Sequence, residues 1–294
     1  MLAELVNLKT FKAPSGAFFL PIFILLLSMA SIQFSATWAK DLFPILGVGG
    51  TATARLFLAG LMMTLLFRPW RITFTQDVLK SLAFYGVSLG FMNYSFYFAL
   101  ERIPLGIAVA LEFTGPLAVA VFASKKKIDF LWVLLAAIGI VLILPLDINS
   151  NALDPLGMLF ALMAGLCWAI YIIFGKRASH TLSGGVASSM GMLIAALVVL
   201  PFGLYADGTR IFNSEALPMA FMVAFLGSAF PYTLEMFSLK KMPTRTFGIL
   251  MSLEPVVASF MGLIFLGENL TLIQYVAISC VIISSLGTTL TQDN

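Results

Sequence analysis

Charge is scarce in this sequence. Only 11% of its 294 residues are Asp, Glu, Lys or Arg, while 60% are hydrophobic; ordinary soluble domains carry about 25% charged and about 45–50% apolar residues. That balance excludes a soluble enzyme of this size, and a mean hydropathy of +1.01 agrees. Histidine occurs once, as His180 in a polar connection, so histidine metal sites of the usual spacing are excluded and neither a metal nor a cofactor is expected. Cysteine occurs twice; Cys167 and Cys280 each lie inside an apolar run and read as small packing residues rather than a disulfide. The sequence also lacks a Gly-x-x-x-x-Gly-Lys-Ser/Thr phosphate loop, a His-Glu-x-x-His pair, a Cys-x-x-Cys pair and a Gly-x-Ser-x-Gly elbow. No long hydrophilic loop is left to carry a soluble active site.

What is abundant is apolar sequence of membrane-crossing length. Ten runs fall near 18–38, 49–67, 81–99, 104–123, 130–146, 156–174, 185–206, 217–238, 246–266 and 271–290, separated by punctuation such as Arg68-Pro69-Trp70-Arg71, Lys125-Lys126-Lys127 and Asp154-Pro155. The first run follows Lys9 and Lys12 as a secretory signal would. It is long enough to span and has no good small-residue cleavage site after it, so it reads as a retained helix. Taken alternately, one set of connections holds 13 of the 17 basic residues and the other only Lys40, Arg102 and Arg210, with Arg55 left inside a span. By the positive-inside rule the richer set, which includes both termini, faces the cytoplasm. The net charge of +3 is thus a topology signal, and a nucleic-acid partner is not expected.

A weak duplication underlies the ten runs. Ala99-Leu100-Glu101-Arg102-Ile103-Pro104 matches Ser238-Leu239-Lys240-Lys241-Met242-Pro243 at an offset of 139, and the same offset pairs Pro116 with Pro255 and Asp129 with Glu268. Trp38-Ala39-Lys40 matches Phe174-Gly175-Lys176 more loosely. Each repeat then has five helices, and an odd number forces the second copy to enter from the opposite side. The charge agrees: Lys125-Lys126-Lys127 follows the fourth run, and Gly267-Glu268-Asn269 stands at the matching place after the ninth. The expected fold is therefore an all-α integral membrane protein of ten transmembrane helices in two inverted five-helix repeats. Its parts are a cytoplasmic tail at 1–17, repeats at 18–146 and 156–290, a periplasmic linker at 147–155 and a cytoplasmic tail at 291–294. Such inverted repeats support alternating access around a midplane site.

Ionisable groups at membrane depth cost roughly 2.5–3.5 kcal/mol or more, so each requires a partner or a task. Glu112 and Glu254 lie mid-span in the fourth and ninth runs. In repeat coordinates they stand three residues apart, on one helix face. Pro116 and Pro255 lack the N–H that the carbonyls of Glu112 and Met251 would use, so both helices are expected to kink beside their carboxylates. The pair reads either as a site for an ammonium group or a proton, or as protonated groups that tie helices together. Arg55 reads either as a fork for a substrate carboxylate or as a partner of Asp41, Glu101 or a buried glutamate. Lys40 reads as a gate or interfacial anchor, and Glu235 as a rim ion pair near Lys240, Lys241 and Arg245. Gln33, Ser35, Thr37, Asn93, Tyr94, Tyr97, Trp168, Tyr171 and Tyr232 supply polar and aromatic groups inside spans. Each alone is more often glue between helices than a ligand. Gly86/Gly90 and the series Gly157, Ala161, Gly165 put small residues at every fourth position, the usual mark of close helix packing.

Several dense stretches carry a family resemblance: Ser28–Gln33, Tyr85–Gly90 with Met92-Asn93-Tyr94, Ile103–Pro116, Cys167–Tyr171, Pro243–Gly248 and Met251–Pro255. In these the chain resembles the drug/metabolite transporter superfamily, in its ten-helix branch, and within that branch the inner-membrane exporters of small amino acids in Gram-negative bacteria. The resemblance implies export of small neutral amino acids, threonine and homoserine, from the cytoplasm by proton antiport. In that reading Arg55 meets the substrate carboxylate. Glu112 and Glu254 meet its ammonium group or alternate with protons, and Asn93, Tyr94 or Gln33 reads the side-chain hydroxyl. Export of other amino acids, metabolites or drugs is the alternative; a passive facilitator or an intramembrane enzyme stands further off.

Overall fold

The computed structural model describes residues 16–123, 128–143, 154–179, 181–241 and 250–291. Lys9, Lys12, the Lys125–Lys127 turn, nearly all of the 147–155 linker, His180, the Pro243–Gly248 stretch and the last three residues lie outside them. The described residues are helical, without strands: α1 Gly16–Leu46, α2 Val48–Phe67, α3 Gln76–Arg102, α4 Leu105–Glu112, α5 Thr114–Ala123, α6 Asp129–Ile143, α7 Pro155–Ser179, α8 Gly184–Asp207, α9 Leu217–Ala224, α10 Phe230–Lys241, α11 Glu254–Leu266 and α12 Leu272–Thr291. A single π-helical turn, Phe225–Ala229, joins α9 to α10. Five stretches are long and apolar enough to cross a membrane, and four shorter apolar helices accompany them. Phe23, Phe130, Phe260 and Leu272 stand exposed on the outside of the bundle, as lipid-facing side chains do.

Among the boundaries that differ from the sequence expectation, two have clear local reasons. α1 continues past Trp38 to Leu46 because Lys40, which looked like a polar stop, is neutralised at 2.7 Å by Glu268. α3 begins at Gln76 because the Thr75 hydroxyl accepts from the Val78 N–H and Asp77 lies in the first turn. The fourth run is also broken more sharply than a kink, with α4 ending at Glu112 and α5 starting at Thr114. Pro116 and Pro255 each fall in the first turn of a new helix, where a missing N–H costs nothing.

At the end of the bundle that the charge pattern assigns to the outside, three helix starts are met by carboxylates. Asp207 accepts from the Gly50 N–H at 2.7 Å at the start of α2. Glu268 accepts from the Leu105 N–H at 2.7 Å at the start of α4 while its other oxygen holds Lys40. Asp154 accepts from the Leu156 N–H at 2.8 Å at the start of α7 and from Arg102 at 3.1 Å. Each arrangement satisfies donors that a helix start leaves free and opposes its positive dipole end. The Arg102 hydrogen bond, then the Leu156 N–H, holds the Asp154 carboxyl below the usual carboxylate range. This contribution is present above the ordinary value of about 4 and is lost as pH falls through the lower folded value. Gly47, with φ +77°, completes the first of these ends, since a Cβ there would overlap the Asp207 carboxyl.

Packing pairs α3 with α7, α1 with α10, α2 with α8, α6 with α12 and α4 with α11. The glycines seen in the sequence are contact points: a Cβ on Gly90 would sit 3.0 Å from the Ala195 carbonyl on α8, and one on Gly165 would sit 2.7 Å from the Glu112 carbonyl. The break between α4 and α5 rests on α7 so closely that a Cβ on Gly115 would run into the Gly165 carbonyl. Backbone cannot swing away as a side chain can. Gly115→Ala is therefore expected to destabilise the protein by at least about 1–3 kcal/mol, read as a lower melting temperature and a smaller monodisperse yield in detergent.

Candidate substrate and proton site

The centre of the site is the π turn between α9 and α10. A π turn widens the helix and takes carbonyls out of the regular ladder, and here side chains from two other helices occupy them. On α1, Ser35 donates to the Val223 carbonyl at 2.8 Å, Ser31 to the Leu226 carbonyl at 2.6 Å and Ser28 to the Pro231 carbonyl at 3.1 Å. Ser28, Ser31 and Ser35 recur at helical spacing, so one edge of α1 clamps the irregular segment.

Arg55, on α2 and 8% exposed, completes the clamp. Its Nη2 donates to the Gly227 carbonyl at 2.7 Å, its Nε to Ser228 Oγ at 3.2 Å and its Nη1 to the Tyr97 hydroxyl at 3.3 Å. The guanidinium also lies over the Tyr97 ring, 5.4 Å from its centre. Among the described residues it makes no ion pair, so Asp41 and Glu101, weighed in the sequence as partners, do not pair with it. Five N–H groups are available and three are used, which leaves one on each terminal nitrogen. Gly227 admits this arrangement because a Cβ there would lie 3.1 Å from Arg55 Nε and would meet the Ser35 hydroxyl.

Glu254 opens α11 and is 6% exposed; its Oε1 accepts from Gln33 Nε2 at 3.1 Å. Its Oε2 and the Gln33 Oε1 are buried with no hydrogen-bond partner. Glu112, 8% exposed at the end of α4, has no hydrogen bond or ion pair among the described residues. The two carboxylates lie within electrostatic reach of each other, and Glu112 also within reach of Arg55. The fold thus brings Arg55, Glu112, Glu254 and Gln33 into one buried neighbourhood. Orphaned buried atoms of this kind are uncommon in folded proteins; Thr64 Oγ1 is the other one among the described residues.

The remaining sequence candidates divide. Tyr232 lies within electrostatic reach of Arg55, Glu235 and Glu254. Trp168 stands edge-on to Phe113, one residue beyond Glu112, with ring centres 5.6 Å apart. Tyr171 stacks on Tyr85 at 4.8 Å. Asn93 is satisfied by its own helix, donating to the Leu89 carbonyl, and Tyr94 donates to the Phe202 carbonyl beside the outer end of α8. Neither contacts the carboxylates. Glu235 accepts from Ser28 at 3.0 Å and makes no ion pair among the described residues, Lys241 included; the Lys240 side chain and Arg245, the other basic neighbours of the expected rim pair, lie outside them. Ser228, Gly227, Ser28 and Ser31 escaped sequence reasoning, whereas Ser35 on the same edge of α1 was among its polar groups. Two signals could have pointed there: the small pair Gly227-Ser228 inside an apolar run, and Pro231, whose missing N–H leaves the Gly227 carbonyl free.

Known proteins place this geometry. The sequence profile of the EamA-like transporter family matches residues 155–290. The threonine/homoserine exporter RhtA of Escherichia coli strain K12 is 50% identical over 92% of this chain and 92% of that protein. Its counterpart in Salmonella typhimurium strain LT2 is 48% identical over the same shares. A probable amino-acid metabolite efflux pump of Salmonella typhimurium strain LT2 is 25% identical over 78% of this chain and 83% of that protein. A solved crystal structure shares the fold with a TM-score of 0.57 over 94% of this chain and 98% of that one, at 16% identity. Identity of one half across nearly the full length of both chains is decisive: this multi-pass membrane protein is a transporter rather than an enzyme, and it belongs to the EamA-like transporter family.

Proposed function

We propose that the chain exports threonine and homoserine from the cytoplasm across the bacterial inner membrane, in exchange for protons, by alternating access. The observation that carries this reading is the pair of orphaned acceptors at Glu254 and Gln33, within one electrostatic neighbourhood with Glu112 and Arg55. A zwitterionic amino acid fits that set. Its carboxylate takes the two spare N–H groups of Arg55 as a planar fork, and its ammonium group supplies the donors that Glu254 and Gln33 lack. When substrate leaves, a carboxylate stranded at this depth is costly, and a proton relieves that cost. Ammonium and proton thereby compete for one place, which is the physical basis of exchange.

The helix pairings support ten membrane-crossing segments in two inverted repeats, and the distribution of basic residues supports both termini lying in the cytoplasm. Exchanging the repeats turns the pairing of α3 with α7 into that of α10 with α1, and leaves α2 with α8 and α6 with α12 unchanged. The half-identity to threonine/homoserine exporters supports the substrate. Rocking of one repeat against the other, about the breaks at Phe113 and before Glu254, would expose the site alternately.

The test is labelled-threonine flux in proteoliposomes under imposed pH gradients of both signs. An acidic interior is expected to drive threonine in and an alkaline interior to drive it out, with homoserine competing and phenylalanine not. Flux indifferent to the gradient would mark a facilitator. Absence of threonine flux from folded protein would move the assignment to another metabolite.

A further inference from the structure

Glu235 is a carboxylate inside a candidate membrane span that this exchange does not yet use, and its surroundings are specific. It is half-buried on α10, whereas Glu112 and Glu254 are buried. The fully buried Ser28 hydroxyl sits 3.0 Å from Glu235 Oε1 and 3.1 Å from the Pro231 carbonyl. A hydroxyl has one proton and two lone pairs. With Glu235 ionised, Ser28 donates to the carboxylate. With Glu235 protonated, Ser28 turns its proton to the Pro231 carbonyl and accepts from the carboxylic acid. Either state is hydrogen-bonded without any backbone movement.

We propose that Glu235 is the cytoplasmic step of the proton path, receiving the proton that Glu254 releases when substrate binds; this rests on the exchange reading above. α1 holds both groups, Glu235 through Ser28 and Glu254 through Gln33, five residues or about 7.5 Å further along the helix. The groups within reach of Glu235 are Ser28 from α1, Tyr85 from α3, Tyr171 from α7, Tyr232 one turn earlier on α10, and Glu254 from α11. Among the described residues none is a cation, and there Glu235 is tuned by hydroxyls and another carboxylate rather than fixed in the ionised form by a salt bridge. The step balances: the Glu254 O–H bond breaks, an O–H bond forms on the Glu235 carboxylate through Tyr232 or an intervening water, and Glu254 is left ionised to face the ammonium group. Glu235 then loses the proton to cytoplasmic water.

The experiment compares full-length wild type, Glu235→Gln, Glu235→Asp and Ser28→Ala in proteoliposomes by two readouts: threonine–threonine counterflow without a pH gradient, and threonine accumulation driven by one. Glu235→Gln is expected to keep counterflow within about twofold and to lose accumulation at least tenfold. Glu235→Asp should restore part of the accumulation, and Ser28→Ala should shift the pH at which accumulation is half-maximal. Accumulation by Glu235→Gln at the wild-type level, or equal loss of both readouts in Glu235→Gln and Ser28→Ala, would overturn the relay. A wild type blind to the gradient would overturn the exchange reading first, and the relay with it.

Discussion

Arg55→Lys is expected to raise the KM for threonine by about 10- to 100-fold while leaving the protein folded. A charge-assisted hydrogen bond contributes about 1.5–3 kcal/mol, and each 1.4 kcal/mol is a factor of ten. Lysine keeps the positive charge and can still reach one acceptor such as the Gly227 carbonyl, now bonded at 2.7 Å. It cannot bind Ser228, Tyr97 and a substrate carboxylate together, because an ammonium has three donors and no planar fork. Substrate recognition therefore suffers more than the charge balance of the site. Competition by threonine amide provides the check. Wild type should prefer the acid strongly, and the variant should lose most of that preference. A variant with unchanged KM but less folded protein would make Arg55 a helix tie and nothing more.

Glu254→Gln removes the charge and keeps the shape. The Gln33 side chain, 3.1 Å from Glu254 Oε1, still has an oxygen to bond, so the fold is expected to survive. The ammonium group loses its charged acceptor, and threonine counterflow should fall about 10- to 100-fold by the same arithmetic. What remains should no longer depend on pH, since the competing proton has lost its place. This separates Glu254 from Glu235, whose removal is expected to spare counterflow. Glu112→Gln should move in the same direction as Glu254→Gln, because the two carboxylates share one electrostatic neighbourhood. Retention of gradient-driven transport by both glutamine variants would remove carboxylates from the mechanism.

Much of this site was legible in the sequence because membrane depth makes polar residues conspicuous. Glu112, Glu254 and Arg55 stand out against apolar runs, and the prolines beside the carboxylates marked where the helices break. The partners of Arg55 were not legible. Sequence reasoning sought an acidic partner, whereas the fold supplies the Gly227 carbonyl, which lies in the π turn Phe225–Ala229 and four residues before Pro231, a residue with no N–H to give it. The Ser28 partner of Glu235 was hidden for a related reason. Its basic sequence neighbours suggested a rim ion pair, while α10 packs on α1 and brings it to Ser28, more than two hundred residues away. Lys40 likewise marked the end of the first helix by its charge, until Glu268 from the far end of the chain neutralised it.

The central claim is that threonine and protons exchange at one buried set of side chains, and its most direct test needs no imposed pH gradient. Proteoliposomes loaded with threonine and an internal pH dye are diluted into threonine-free buffer. Obligatory exchange predicts that the interior acidifies as threonine leaves, whichever way the protein inserts, and that the acidification is abolished in Glu254→Gln. Threonine efflux at the wild-type rate with no change of internal pH would contradict the account.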